Sequence, residues 1–91
     1  MSSRDVVFRD RYGLHPRAAR RIQDALKSYT SSVTIQRLEG DGSSVDARGM
    51  LAMISSGIRA GERVRLTAEG PDAAEALAAI GDLLEAGVDH P

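Results

Sequence analysis

Cysteine is absent from the 91-residue chain, which excludes disulfides and thiolate metal sites and fits a reducing, intracellular compartment. Tryptophan is absent too, and Phe8, Tyr12 and Tyr29 are the whole aromatic complement, too few for a base-stacking platform of the single-strand-binding kind. No run approaches the roughly 18 apolar residues that cross a bilayer, and the opening MSSRDVVFRD has no apolar segment of the signal-peptide type. The cytoplasm is the expected location, with no insertion into a membrane. A surplus of one charge sign is also lacking: 12 basic and 13 acidic residues leave a net charge of −1, which argues against bulk electrostatic binding to nucleic acid. Histidine is scarce, with only His15 and the tail residue His90, so a zinc site has no ligand set. The stretch GDGSS lacks the remaining carboxylates of a calcium loop and reads as a hairpin turn. No Walker-type glycine loop is present, which argues against a nucleotide-dependent enzyme. No metal or other cofactor is expected.

What is present is unevenly distributed. Arg4, Arg9, Arg11, Arg17, Arg20, Arg21 and Lys27 fall in the first third, whereas Glu69, Asp72, Glu75, Asp82, Glu85 and Asp89 load the last quarter. Such an asymmetry points to an anion or an acidic partner near the N-terminal third. The length suits one domain, residues 1–91, with a single core.

Periodicity gives the order of elements. Arg4 to Asp10 reads as a strand with Val6 and Phe8 on one face. From Pro16, the residues Ala18, Ala19, Ile22, Ala25, Leu26 and Tyr29 follow helical spacing, opposite Arg17, Arg20, Arg21, Asp24 and Lys27. Proline at the first helical position makes His15 the expected N-cap. A second strand carries Val33, Ile35 and Arg37 on one side, and a hairpin leads to a short strand at Ser44 to Ala47. GMLAMISSG predicts a short helix, and GERVRLTAEG a half-buried strand. The last helix should have Asp72 and Glu75 as a capping box and close on Gly87. The order is β-α-β-β-α-β-α, an α+β two-layer arrangement with a four-stranded sheet.

One stretch carries chemistry: YGLHPRAARRI, Tyr12 to Ile22. A helix N-terminus attracts anions, because its first N–H groups lack intrahelical acceptors and the macrodipole is positive there. A neutral imidazole at that end has a lone pair able to attack phosphorus and hold a phosphoryl group. Arg17 could pair with its charge, the backbone N–H of Ala18 could bind it, and Gly13 would let the chain turn tightly. From residue types alone, the same stretch also reads as an ordinary polar helix leader followed by a solvated arginine face.

Taken together, the motifs resemble a known family. Gly13-Leu14-His15-Pro16-Arg17-Ala18-Ala19 is similar to the G-L-H-A-R-P-A motif of HPr, the histidine-containing phosphocarrier of the phosphoenolpyruvate-dependent sugar phosphotransferase system. RGMLAMISSGI, from Arg48 to Ile58, resembles that family's K-S-I-M-G-V-M-S-L-G-I, and the likeness covers nearly the whole chain. It implies an open-faced β-sandwich with three helices on one side of an antiparallel sheet. It further implies that His15 takes a phosphoryl group on its δ nitrogen from Enzyme I, with phosphoenolpyruvate as source. The group then passes to enzyme II A-type domains for sugar uptake, the carrier being a covalent intermediate and no independent enzyme. The aligned docking patch is Met50, Leu51 and Ile54, rimmed by Arg20, Arg21 and Arg48, with Met53 in the core. A monomer is expected, since a carrier must visit several partners.

Three departures qualify the resemblance. Proline stands at position 16 and Ala18 replaces the motif's proline, which removes one N–H from the phosphate-binding turn. Gly49 occupies the position of the family's regulatory serine, so no serine switch is expected there. The hairpin before Arg48 is longer than usual, which a loop tip tolerates. A docking or regulatory module with weak or no phosphotransfer therefore stands as the alternative, and an unrelated ferredoxin-like ligand-binding domain as a third reading.

Overall fold

In the computed structural model, residues 1–87 are described. Seven elements follow in order: β1 (Ser2–Val7), α1 (Pro16–Leu26), β2 (Ser32–Arg37), β3 (Ser44–Asp46), α2 (Met50–Ser55), β4 (Arg63–Glu69) and α3 (Ala73–Ala86). All pairings are antiparallel in a four-stranded sheet of order β1-β4-β2-β3. The order expected from periodicity is the one observed.

Strand alternation explains how the layers meet. Val33 and Ile35 of β2, and Val64, Leu66 and Ala68 of β4, are fully buried, while Ser32, Thr34, Gln36, Arg63 and Arg65 face outward. Against that inner face, α1 buries Ala18, Ala19, Ile22 and Leu26, and α3 buries Ala73, Ala76, Leu77, Ile80 and Leu84. The alanines keep both helices close to the sheet and to each other. The short α2 sinks Met53 completely, a burial that stabilises by about 1.5–3 kcal/mol. On the outer face, Arg65 clasps Asp5 of the neighbouring strand through two hydrogen bonds of 2.7 and 3.0 Å.

Three details differ from the sequence reading. The paired part of β1 ends at Val7; Phe8 still points into the core, but its N–H now donates to the carbonyl of Glu62 at 2.8 Å. Helix α1 ends at Leu26 with Lys27 as C-cap, so Tyr29 packs on the core edge from the loop beyond. The expected capping box at α3 does not form. Asp72 holds the N-cap position without a side-chain bond to the helix. Its carboxylate accepts the N–H groups of Thr30 and Ser31, both at 2.9 Å, and the Ser31 hydroxyl.

Arg37 is the inward polar residue of β2. It forms a two-pronged pair with the buried Glu62 at 2.6 and 3.1 Å, and Glu62 also accepts the N–H of Arg59 at 2.9 Å. The Arg37 contact holds the Glu62 carboxyl below the usual range despite burial. Segment 57–62 is thereby fixed beside the loop that precedes α1.

Candidate functional site

That loop, residues 8–15, is built around a buried carboxylate. Asp10 is 2 % exposed; its Oδ1 accepts the N–H of Tyr12 at 3.2 Å, and its carbonyl accepts the N–H of Gly13 at 3.1 Å. Gly13 takes φ +73°, and a Cβ there would lie 2.7 Å from the carbonyl oxygen of Ile58. Only glycine allows this approach without strain. Leu14 then donates to the same Ile58 carbonyl at 3.0 Å and buries its side chain, and the next residue is delivered to the helix start.

His15 is that residue and is the N-cap of α1, with extended backbone (φ −105°, ψ 174°) and Pro16 in the first turn. The fixed φ of proline suits this place and no helix bond is lost. The ring is 22 % exposed and uses both nitrogens. Nδ1 accepts the backbone N–H of Arg17 at 3.2 Å, and Nε2 lies 3.3 Å from Oδ1 of Asp10. Tyr12, itself exposed, meets the imidazole edge-on at 5.9 Å, and the Arg11 guanidinium lies 5.8 Å from the Tyr12 ring centroid.

The other predicted residues surround this point unequally. Arg17 is exposed in the first turn, and Ala18 behind it is fully buried. Arg20 and Arg21 are exposed on α1; Arg20 pairs with Asp24 at 3.4 Å, as does Lys27 at 3.2 Å. Leu51 on α2 is 79 % exposed, with Met50 and Ile54 half-buried against the core. Gly49 is the N-cap of α2 and supplies no side-chain bond. Arg48 has a second employment. Its guanidinium donates to the carbonyls of Leu26, Tyr29 and Ser31 at 3.2, 3.0 and 2.9 Å, tying down the end of α1. His90 lies outside the described residues. Among those described, no cluster of metal-ligating side chains forms and no helix is long and apolar enough to cross a membrane.

Two neighbours of His15 escaped the sequence reading, Asp10 and Tyr12. Their signal was the Asp-x-x-Gly spacing of Asp10 and Gly13, a turn in which the aspartate side chain bonds its own backbone.

Chemically, the arrangement presents a ring nitrogen with a lone pair at the positive end of a helix. A model of the PTS HPr component phosphorylation site matches residues 2–86. The chain is 36% identical to a multiphosphoryl transfer protein of Salmonella typhimurium over 94% of its own length, and spans 23% of the length of that relative. It is 33% identical to the phosphocarrier protein NPr of Proteus mirabilis, with 96% of this chain and 94% of the other covered. In structure it superposes on HPr-C-His of Thermoanaerobacter tengcongensis with a TM-score of 0.83 and 30% identity, over 94% of this chain and 93% of the other. By sequence over nearly its full length and by fold, the chain belongs to the PTS HPr family of phosphocarrier proteins, whose function is phosphotransfer in the phosphotransferase system.

Proposed function

We propose that His15 is the phosphoryl acceptor, charged by Enzyme I from phosphoenolpyruvate and discharged onto enzyme II A-type domains. The observation that carries this is the bond from the Arg17 N–H to Nδ1. A nitrogen that accepts a hydrogen bond holds its lone pair in the ring plane, and here that pair points to the helix N-terminus. In the charging step, the Nδ1 pair attacks phosphorus while the bond from phosphorus to the donor breaks, the donor keeping that bond's electrons. In the discharging step an acceptor group attacks phosphorus and Nδ1 takes its pair back. The carrier returns unchanged, a covalent intermediate of the relay.

The phosphoryl oxygens would lie against the N–H groups of Arg17 and Ala18 and the Arg17 guanidinium. Each charge–dipole contact at a helix start stabilises by about 0.3–1 kcal/mol. Pro16 has no N–H to add, but its place at the helix start leaves those two donors intact. Leu51, Met50 and Ile54 offer partners an apolar contact, and Arg20 and Arg21 an attraction for acidic ones. We read the working form as a monomer.

Intact-mass spectrometry after incubation with Enzyme I and phosphoenolpyruvate tests this. An acid-labile adduct on the parent, absent from His15→Ala and slowed about tenfold or more in Arg17→Ala, is the expected result. An undiminished adduct in the His15 variant would move the site elsewhere. A folded parent that takes no phosphoryl group would leave a docking module.

A further inference from the structure

We infer that Asp10 is a positioning residue for phosphoryl transfer at His15: its buried carboxylate keeps the proton on Nε2 and faces the positive charge that the ring acquires when Nδ1 bonds to phosphorus. The inference deepens the carrier reading and rests on it.

It starts from proton bookkeeping in the ring. A neutral imidazole carries one N–H. Because Nδ1 accepts from Arg17, that hydrogen belongs on Nε2, and Nε2 faces Oδ1 of Asp10 at 3.3 Å. An ionised carboxylate is an acceptor only, so it favours this tautomer and opposes the one that would block Nδ1. Hydrogen bonds of this kind are long in a resting site and tighten as charge develops.

A second observation points the same way. The Asp10 side chain is 1% exposed, and its Oδ2 has no hydrogen-bond partner among the described residues. Burying such an oxygen is costly, and buried polar atoms are nearly always partnered. Oδ1 is shared between the Tyr12 N–H of the turn and Nε2 of His15, so the turn alone does not explain a buried charge with a second oxygen left over. The charge is useful in the transfer itself. When the Nδ1 pair forms its bond to phosphorus, the proton stays on Nε2 and the ring becomes formally cationic; the Nε2–H bond to Asp10 becomes a bond between two charges, roughly twice as strong as a neutral one. In the return step Nδ1 recovers its pair, the ring is neutral again and the proton has not moved. The carboxylate thus stabilises the transition state of either step more than the resting ring.

Asp10→Asn separates this role from turn formation, since the amide oxygen still accepts from Tyr12 while the charge is gone. The experiment combines quenched-flow phosphorylation by Enzyme I and phosphoenolpyruvate with nitrogen NMR of the His15 ring in the unphosphorylated chain, well above the usual histidine pKa of about 6.5. The expected result is a parent ring protonated on Nε2. In Asp10→Asn, phosphorylation should slow about tenfold or more, with the amide signals of Gly13 and Leu14 in place. A variant rate within about twofold of the parent overturns the inference while leaving the carrier reading intact. A parent that is never phosphorylated overturns the carrier reading instead. Should the substitution disturb the loop, the parent spectrum decides: a neutral ring protonated on Nδ1 overturns the role assigned to Asp10.

Discussion

At the start of α1 a histidine caps its own helix with Nδ1 and remains partly open to solvent; at the start of α3 an aspartate in the same position ignores its helix. Asp72 reaches instead across 41 residues of sequence to the loop between α1 and β2, taking the N–H groups of Thr30 and Ser31, while the Ser31 hydroxyl accepts the N–H of Asp72 at 3.1 Å. One helix start keeps its cap within its own first turn. The other is spent on holding the chain together. The two share a cap position and a polar side chain, so what separates them is whether the neighbouring loop brings donors or an acceptor. At α1 the loop brings a carboxylate, which cannot donate to Nδ1; at α3 it brings two N–H groups and a hydroxyl, which between them engage both carboxylate oxygens.

The widest separation should come from removing each cap in turn. His15→Ala should abolish the phosphoryl adduct and lower stability by about 1 kcal/mol, the usual cost of an N-cap. Asp72→Ala should do the reverse, lowering the thermal midpoint by several degrees while leaving the adduct at the parent level, because Thr30 and Ser31 lose their acceptor far from the histidine. Melting curves and intact mass on the same two preparations read both effects. An Asp72 variant that folds normally but cannot be phosphorylated would erase the distinction between the two helix starts.

The histidine end was the more legible in sequence for a physical reason. Pro16, the glycine before it and the apolar spacing after it are local signals, and together they place His15 at a helix start without knowledge of any other element. Strand alternation in Val33–Ile35 and Val64–Leu66–Ala68 was equally local, and the fold followed. Contacts distant in sequence leave no such local signal. Asp72 and Glu75 have the spacing of a capping box, but the Thr30–Ser31 donors that draw the aspartate away come together with it only in the folded chain. Arg48, expected at the rim of the docking patch, is exposed and also gives its guanidinium to three carbonyls at the end of α1 and in the loop beyond it, a contact that no local pattern signals. Asp10, five residues before His15, carries a local Asp-x-x-Gly signal for its turn but none for its burial or its approach to the ring. The loop that carries it is bonded to segment 57–62 through Phe8 and Leu14, and the Arg37–Glu62 pair holds that segment in place.

Acid should sharpen the same contrast more gently. The hydrogen bond from Ser31, then that from the Thr30 N–H, holds the Asp72 carboxyl below the usual carboxylate range. A carboxyl lowered in the folded state contributes stability that is fully present above its unfolded value, near 3.9, and is lost as pH falls through the lowered folded value. The parent's thermal midpoint should therefore fall as pH drops below about 4. Asp72→Asn should show a shallower fall over that window, with the remaining slope shared by Glu62 beside Arg37, Asp5 beside Arg65, Asp24 beside Lys27 and Asp41 beside Ser43, which are lowered too. Equal slopes in parent and variant would mean that the bonds to Ser31 and Thr30 do not depend on the charge of Asp72.

The third helix start provides the finest test, since α2 begins on Gly49 with no side chain to use in either way. Its backbone is at φ −92° and ψ 100°, open to any residue. A Cβ there would sit 3.4 Å from the Asp46 carbonyl oxygen and 3.5 Å from the Ala52 Cβ, ordinary contacts at the near edge. Gly49→Ser should thus cap α2 and raise stability by a few tenths of a kcal/mol, about the difference between serine and glycine at an N-cap. Denaturant melts resolve such a change when the slope is unaltered. If helix starts are used as their neighbours dictate, this serine will cap, because the nearest atoms to its Cβ are the Asp46 carbonyl oxygen and the Ala52 methyl, neither of which is a donor. A loss of stability instead would show that the contacts a side chain makes with the Asp46 carbonyl and Ala52 outweigh the cap it supplies.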